Sequence, residues 1–131
     1  MTRFVVDASA VTHLASKRFD VSADHELLAP TLLRSQTLSM LHEAVHRGEL
    51  AADVALNLLE RIWRMRIRLL GDAVLRRRAW EVAEQMGWAD TYNAEYVALT
   101  QLQADAFVTR DAQLARNVKG IVATASIDAL R

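Results

Sequence analysis

The feature that most restricts the fold is a pair of short apolar runs that each lead to an acid: Phe4 to Val6 before Asp7, and "FVT" (107–109) two residues before Asp111. Runs this short suit strands, and each is followed at once by a segment with helical spacing, so the chain reads as strand, turn, helix. The unit recurs along the chain. "RFVVD" (3–7) leads into "ASAVTHLA", "LLA" (27–29) is a second extended piece, and Pro30 with Thr31 opens a helix to about Arg47 that Gly48 stops. Apolar residues at 54, 58, 62 and 65 form a helical stripe that breaks near "RLLGD", where Gly71 punctuates a further short strand. "AVLRRRAWEVAEQM" predicts a helix ended by Gly87, followed by a helix through "AEYVALTQLQ", a strand at 106–109, a short helix "AQLARNV" and a last strand at 121–124. The result is one α/β domain spanning 1–131, with four or five short, mainly parallel strands between helices.

An open parallel sheet binds ligands beyond the carboxyl ends of its strands, and Asp7 and Asp111 stand at such places. Each also precedes a helix, where aspartate serves as an N-cap, so capping and ligand readings stand side by side. Rival sites lack their parts. The four glycines, 48, 71, 87 and 120, are isolated, which removes a glycine-rich phosphate loop, and no GxSxG elbow occurs. A phospho-accepting receiver domain needs an acid pair at the first strand and a lysine after the last, whereas a lone Asp7 follows the first strand and Lys119 precedes the last. The absence of cysteine removes disulfides, thiolate zinc sites and thiol nucleophiles, and His42 with His46 has helical spacing but no HExxH around it. What remains is oxygen-ligand chemistry around Mg²⁺ or Mn²⁺, with Asp7 and Asp111 as two ligands.

Charge and hydropathy set outer bounds. Formal net charge is zero, yet Arg61, Arg64, Arg66, Arg68, Arg76, Arg77 and Arg78 share eighteen residues with one acid, Asp72. Arginine forks match phosphate oxygens, so the cluster, Arg76, Arg77 and Arg78 included, could meet a phosphate backbone; a solvated helix face is at least as good a reading. No apolar run approaches the roughly 20 residues that a membrane helix needs. The acid at Asp7 interrupts the N-terminal apolar run before it reaches the length of a secretory signal, so the expected location is the cytosol.

"FVVDASAV", "LLRSQTLSMLHEAVHRG" and "TYNAEYVALTQLQADAFVTRDAQLA" together resemble PIN-domain proteins, specifically VapC toxins of bacterial toxin–antitoxin pairs, over essentially the whole chain. "EYVALTQLQADAFVTRD" is the most specific part of the match. The resemblance implies a three-layer α/β/α sandwich, Mg²⁺-dependent endoribonuclease cleavage of structured RNA such as transfer RNA, a small VapB-like antitoxin that blocks the site, and a homodimer. It also implies four acidic site positions. The first and last fall on Asp7 and Asp111, with Thr109 as a hydroxyl contributor, and the middle two fall on Gln36 and Asn93, the isosteric amides of the expected acids.

Neighbouring acids are poor replacements by spacing alone. Glu43 lies seven residues past Gln36, about 10 Å along a helix, and Asp90 lies three residues before Asn93, where it either approaches the site or caps the helix. Asn93 has its own capping reading, whereas Gln36, between Leu33 and Met40, faces inward, where an unpaired amide is costly. An amide still offers oxygen but no charge, and two unit charges 4 Å apart are worth about 4 kcal/mol at an effective dielectric near 20. It also cannot act as a general base. The expectation is a well-folded protein with weak or no nuclease activity: either a deliberately disarmed nuclease or a naturally non-catalytic module that binds an antitoxin or RNA.

Overall fold

The computed structural model describes residues 1–131. In chain order the elements are β1 (Thr2–Val6), α1 (Ala8–Ser16), β2 (His25–Pro30), α2 (Leu32–His46), α3 (Ala52–Arg64), β3 (Ile67–Leu70), α4 (Ala73–Met86), α5 (Tyr92–Gln103), β4 (Ala106–Val108), α6 (Ala112–Val118) and β5 (Thr124–Ala125), with a closing 3₁₀ turn at Ile127–Leu130. All five strands are parallel in the order β3-β2-β1-β4-β5. Phe4 pairs with Leu27 on one side of β1, and Val5 pairs with Phe107 on the other.

The run-like strands follow from burial on both faces, which removes the polar alternation of a half-exposed sheet. Phe4, Val5 and Val6 in β1 and Ala106, Phe107 and Val108 in β4 are all buried. On one face α5 packs over β1, β2 and β4 with α4 against it, while α1, α2 and α3 pack on one another to make the other layer. This is the three-layer α/β/α arrangement expected from the alternation of runs and amphipathic segments.

The helix ends carry the predicted punctuation. Asp7, Asp72 and Asp111 cap α1, α4 and α6 by accepting from Ala10 N, Leu75 N and the pair Gln113 N and Leu114 N. Gly87 ends α4 at φ 69, and Gly48 closes the turn after α2 at φ 74, left-handed values that a side chain resists.

Two local expectations are corrected. In α3, Leu58 and Ile62 are buried and Met65 packs against the core as predicted, but Val54 is exposed and Ala55 is buried in its place. The last strand is not at 121–124 but at Thr124–Ala125. Ile121 N and Val122 N both donate to Val118 O, which winds that stretch into a turn and packs the two apolar side chains against the core instead.

Phe107 sits fully buried in the centre of this core, within 6.3 Å of the Tyr96 ring centroid. Phe107→Ala is expected to cost about 3–5 kcal/mol. A urea unfolding series should show the lower midpoint with an unchanged slope.

Candidate active site

The strand order places the site. From β1 the chain moves to β2 and β3 on one side and later to β4 and β5 on the other, so the crevice opens where β1 meets β4. Asp7 N donates to Val108 O at 3.4 Å and holds the two strand ends together. The Asp7 carboxylate, 8% exposed, has both oxygens engaged. Its Oδ1 accepts from Ser9 Oγ at 2.7 Å and Ala10 N at 3.0 Å, and its Oδ2 accepts from Thr109 Oγ1 at 2.5 Å. Thr109 Oγ1 in turn accepts from Asp111 N, and Ser9 Oγ accepts from Arg110 N. The turns after β1 and β4 are thus stitched through one carboxylate and two hydroxyls.

In front of Asp7 lies a cavity of about 320 Å³ lined by Ser9, Gln36, Glu43, Asn93 and Tyr96 among others. Asp7, Gln36 and Asn93, three of the four positions that the resemblance singled out, therefore meet in one place. Gln36 is supplied by α2 and is not unpaired: the buried Tyr96 hydroxyl on α5 donates to its Oε1 at 2.5 Å. Burial, aided by the Asp7 and Glu95 carboxylates, holds the Tyr96 phenol protonated well above the ordinary tyrosine range.

Other expectations shift. Asn93 is not an N-cap, because α5 begins at Tyr92 with Thr91 in the cap position, and the preceding turn is tied by Asp90 Oδ1 accepting from Tyr92 N at 3.3 Å. Asn93 instead stands exposed in the first turn, on the cavity side. Asp111 is exposed, spends Oδ1 on the α6 cap and does not line the cavity. Glu43, too far along its helix by spacing alone, does line it, while accepting from Ser39 Oγ at 3.0 Å and lying 3.8 Å from Arg47. Helical spacing measures distance along the axis only; a long side chain reaches across part of it.

Sequence reasoning missed Ser9 and Tyr96. Both were within reach: Ser9 sits two residues past Asp7, the spacing at which a side chain meets a capping aspartate, and Tyr96 is at i+3 from Asn93, on the same helix face.

The implied divalent ion is not matched by the donors present. No three carboxylate or imidazole groups stand close enough to hold a cation. Asp7 has both oxygens in use, the Gln36 oxygen is taken by Tyr96, and Asn93 adds no charge.

The arginine cluster is divided by the fold. Arg61 donates to Ala15 O, Arg64 pairs with Glu60, Arg68 with Glu26, and Arg78 with Glu81 and Gln101, which leaves Arg66, Arg76 and Arg77 outside ion pairs.

Comparison with solved structures tests the fold. The chain superimposes on PAE2754 from Pyrobaculum aerophilum with a TM-score of 0.76 at 24% identity, covering 98% of this chain and 92% of that one. It superimposes on VapBC2 from Rickettsia felis, solved bound to a DNA fragment from their promoter, at 0.59 and 13% identity over 95% and 98%. VapBC-1 from nontypeable Haemophilus influenzae gives 0.58 and 9% over 96% and 98%. The fold is that of a VapC-like PIN domain. No protein-family profile and no curated protein matches the chain.

The cavity gives one direct test at Tyr96. Above pH about 10 an unfolded tyrosine loses its proton while buried Tyr96 keeps it, so the native state binds more protons and stability falls with rising pH. Tyr96→Phe should remove that part of the decline and cost about 1 kcal/mol at neutral pH through the orphaned Gln36 oxygen. Chemical denaturation at pH 7 and at alkaline pH, wild type beside variant, measures both.

Proposed function

We propose that the protein is a VapC-like toxin homologue whose Mg²⁺-dependent endoribonuclease centre is disarmed by Gln36 and Asn93, and which retains the binding functions of that class. The observation that carries this reading is the cavity itself: Asp7, Gln36 and Asn93 converge on it, with amides where charge would be needed. Asp7 and Asp111 are the parent metal positions, and Thr109 positions Asp7 through its hydroxyl. The remaining functions are binding an RNA such as transfer RNA, through Arg76 and Arg77 on the first turns of α4 with Arg78 partly committed to Gln101, and binding a VapB-like antitoxin as a cytoplasmic homodimer. That two of the superimposable structures are VapBC complexes supports the antitoxin partner. Whether the amides arose in nature or by design is read from the genomic codons at 36 and 93; the binding role is common to both histories.

The decisive comparison is between the chain as it stands and the double variant Gln36→Glu with Asn93→Asp. Calorimetric titration with Mn²⁺ should show no saturable site in the first and one in the second, and RNA cleavage should appear only in the second and vanish with chelator. Two restored charges, each worth several kcal/mol before screening, make an affinity gain of at least about 100-fold the expected scale. A double variant that neither binds metal nor cuts RNA removes the site assignment.

RNA affinity measured against salt tests the surface separately. Arg76→Ala with Arg77→Ala should lower the slope of log K against log salt by about 0.7 for each single-strand phosphate that is no longer neutralised. Adding Arg78→Ala should change little. An unchanged slope in all variants returns these arginines to a solvated face.

A further inference from the structure

A second cavity lies beside the first. It has a volume of about 370 Å³ and is bordered by Thr31, Gly71, Arg76, Trp80 and Glu95. Thr31 and Gly71 directly follow the paired ends of β2 and β3, so this cavity also opens at the carboxyl edge of the sheet. Asp72, Leu75, Arg76, Ala79 and Trp80 line it at helical spacings of three and four, which makes one face of α4 its wall. Gly71 lets that wall close on the sheet, since a Cβ there would lie 2.9 Å from Thr31 Oγ1. The first turn of α5 separates the two cavities, with Asn93 bordering one and Glu95 the other.

Three side chains in this second cavity have chemistry that the protein leaves unused. Trp80 is 66% exposed despite its size, offering an aromatic face. Arg76 is in no ion pair, although it shares the cavity with two acids. The Glu95 carboxylate lines the cavity half-buried, and no side chain or backbone group of the protein donates to it. Its two oxygens are therefore open to the N–H groups of a ligand.

We propose that this cavity is a nucleobase subsite that selects guanine, stacking it on Trp80 and receiving its N1–H and N2–H on the two oxygens of Glu95, with Arg76 on the adjoining phosphate. Of the four bases only guanine places two N–H donors side by side on its Watson–Crick edge, matching a carboxylate. Uracil offers one N–H between two carbonyls that repel it, and adenine and cytosine each offer one amino group beside an acceptor nitrogen. Aromatic stacking serves every base, so Trp80 provides hold and Glu95 provides choice. The proposal rests on the RNA-binding reading, in that a strand crossing the Asp7 cavity would lay a flanking base here.

The test uses the full chain and fluorescence anisotropy with labelled hexauridylate, the same oligomer carrying one guanosine, adenosine or inosine, and free guanosine monophosphate as competitor. One guanosine should tighten binding about tenfold over uridine alone, the discrimination of one good bidentate contact. Adenosine should give no gain, and inosine, lacking the N2 amine, should lose most of it. Glu95→Gln should abolish the guanosine preference without weakening the uridine-only oligomer, since it also removes a negative charge beside the strand, and Trp80→Ala should weaken every oligomer. If Glu95→Gln is poorly folded by circular dichroism, Glu95→Asp, whose carboxylate is withdrawn by one methylene, must lose the preference as well. RNA bound without base preference, or with a preference that survives both Glu95 variants, overturns the subsite and leaves the RNA reading intact. Glu95-dependent competition by guanosine monophosphate with no oligomer binding upholds the subsite and removes the RNA reading. Binding of neither probe overturns both.

Discussion

The rest of the site depends on how the Asp7 carboxylate is held. It caps α1, receives the hydroxyls of Ser9 and Thr109, and through them is tied to the backbone of Arg110 and Asp111. A charge that is nearly buried is tolerated only when donors surround it, and here the donors come from turns about a hundred residues apart. The same contacts that satisfy the carboxylate therefore fix the geometry of the switch point between β1 and β4. Loss of either hydroxyl would leave a buried carboxylate oxygen short of a donor and loosen the join at once.

Around that fixed point the cavity sets the amides of Gln36 and Asn93 beside the carboxylates of Asp7 and Glu43. Tyr96 links this recess to the core. Its hydroxyl occupies the oxygen of Gln36, and its own ionisation is suppressed by burial and by nearby carboxylates. Fewer like charges facing one another favours the metal-free fold, which is the physical benefit of replacing acids by amides in a crowded site. The cost falls on chemistry, since neither amide attracts a cation or takes a proton.

Much of this is legible in the residues because it is local. Strand runs, helix stripes, the capping aspartates and the glycine stops are all set within a few residues, and every predicted element but the strand at 121–124 lies where it was expected. The departures are long-range or rotational. Ile121 and Val122 read as a strand, but the free carbonyl of Val118 captures their amides, and two residues of pairing suffice to finish the sheet edge. In α3 only the first position of the stripe moves, from Val54 to Ala55, because a helical period alone does not fix the edge of the face that meets α1 and α2. Axial rise alone misplaces Glu43, since it omits the reach of the side chain.

The residue pattern alone determined an alternating α/β chain, the acids at two strand ends and the amides at Gln36 and Asn93, since chain-local sterics and hydrophobic period decide those. Only the tertiary structure decided that Tyr96 partners Gln36, that Asp111 is turned to a cap away from the cavity, and that four of the seven clustered arginines are taken up by separate partners. It alone also brought Glu95 and Trp80, residues from two helices, to the border of one cavity. The physical reason is common to these cases: which side chains complete one another's hydrogen bonds depends on how layers pack across the sheet, and that packing is a property of the whole core.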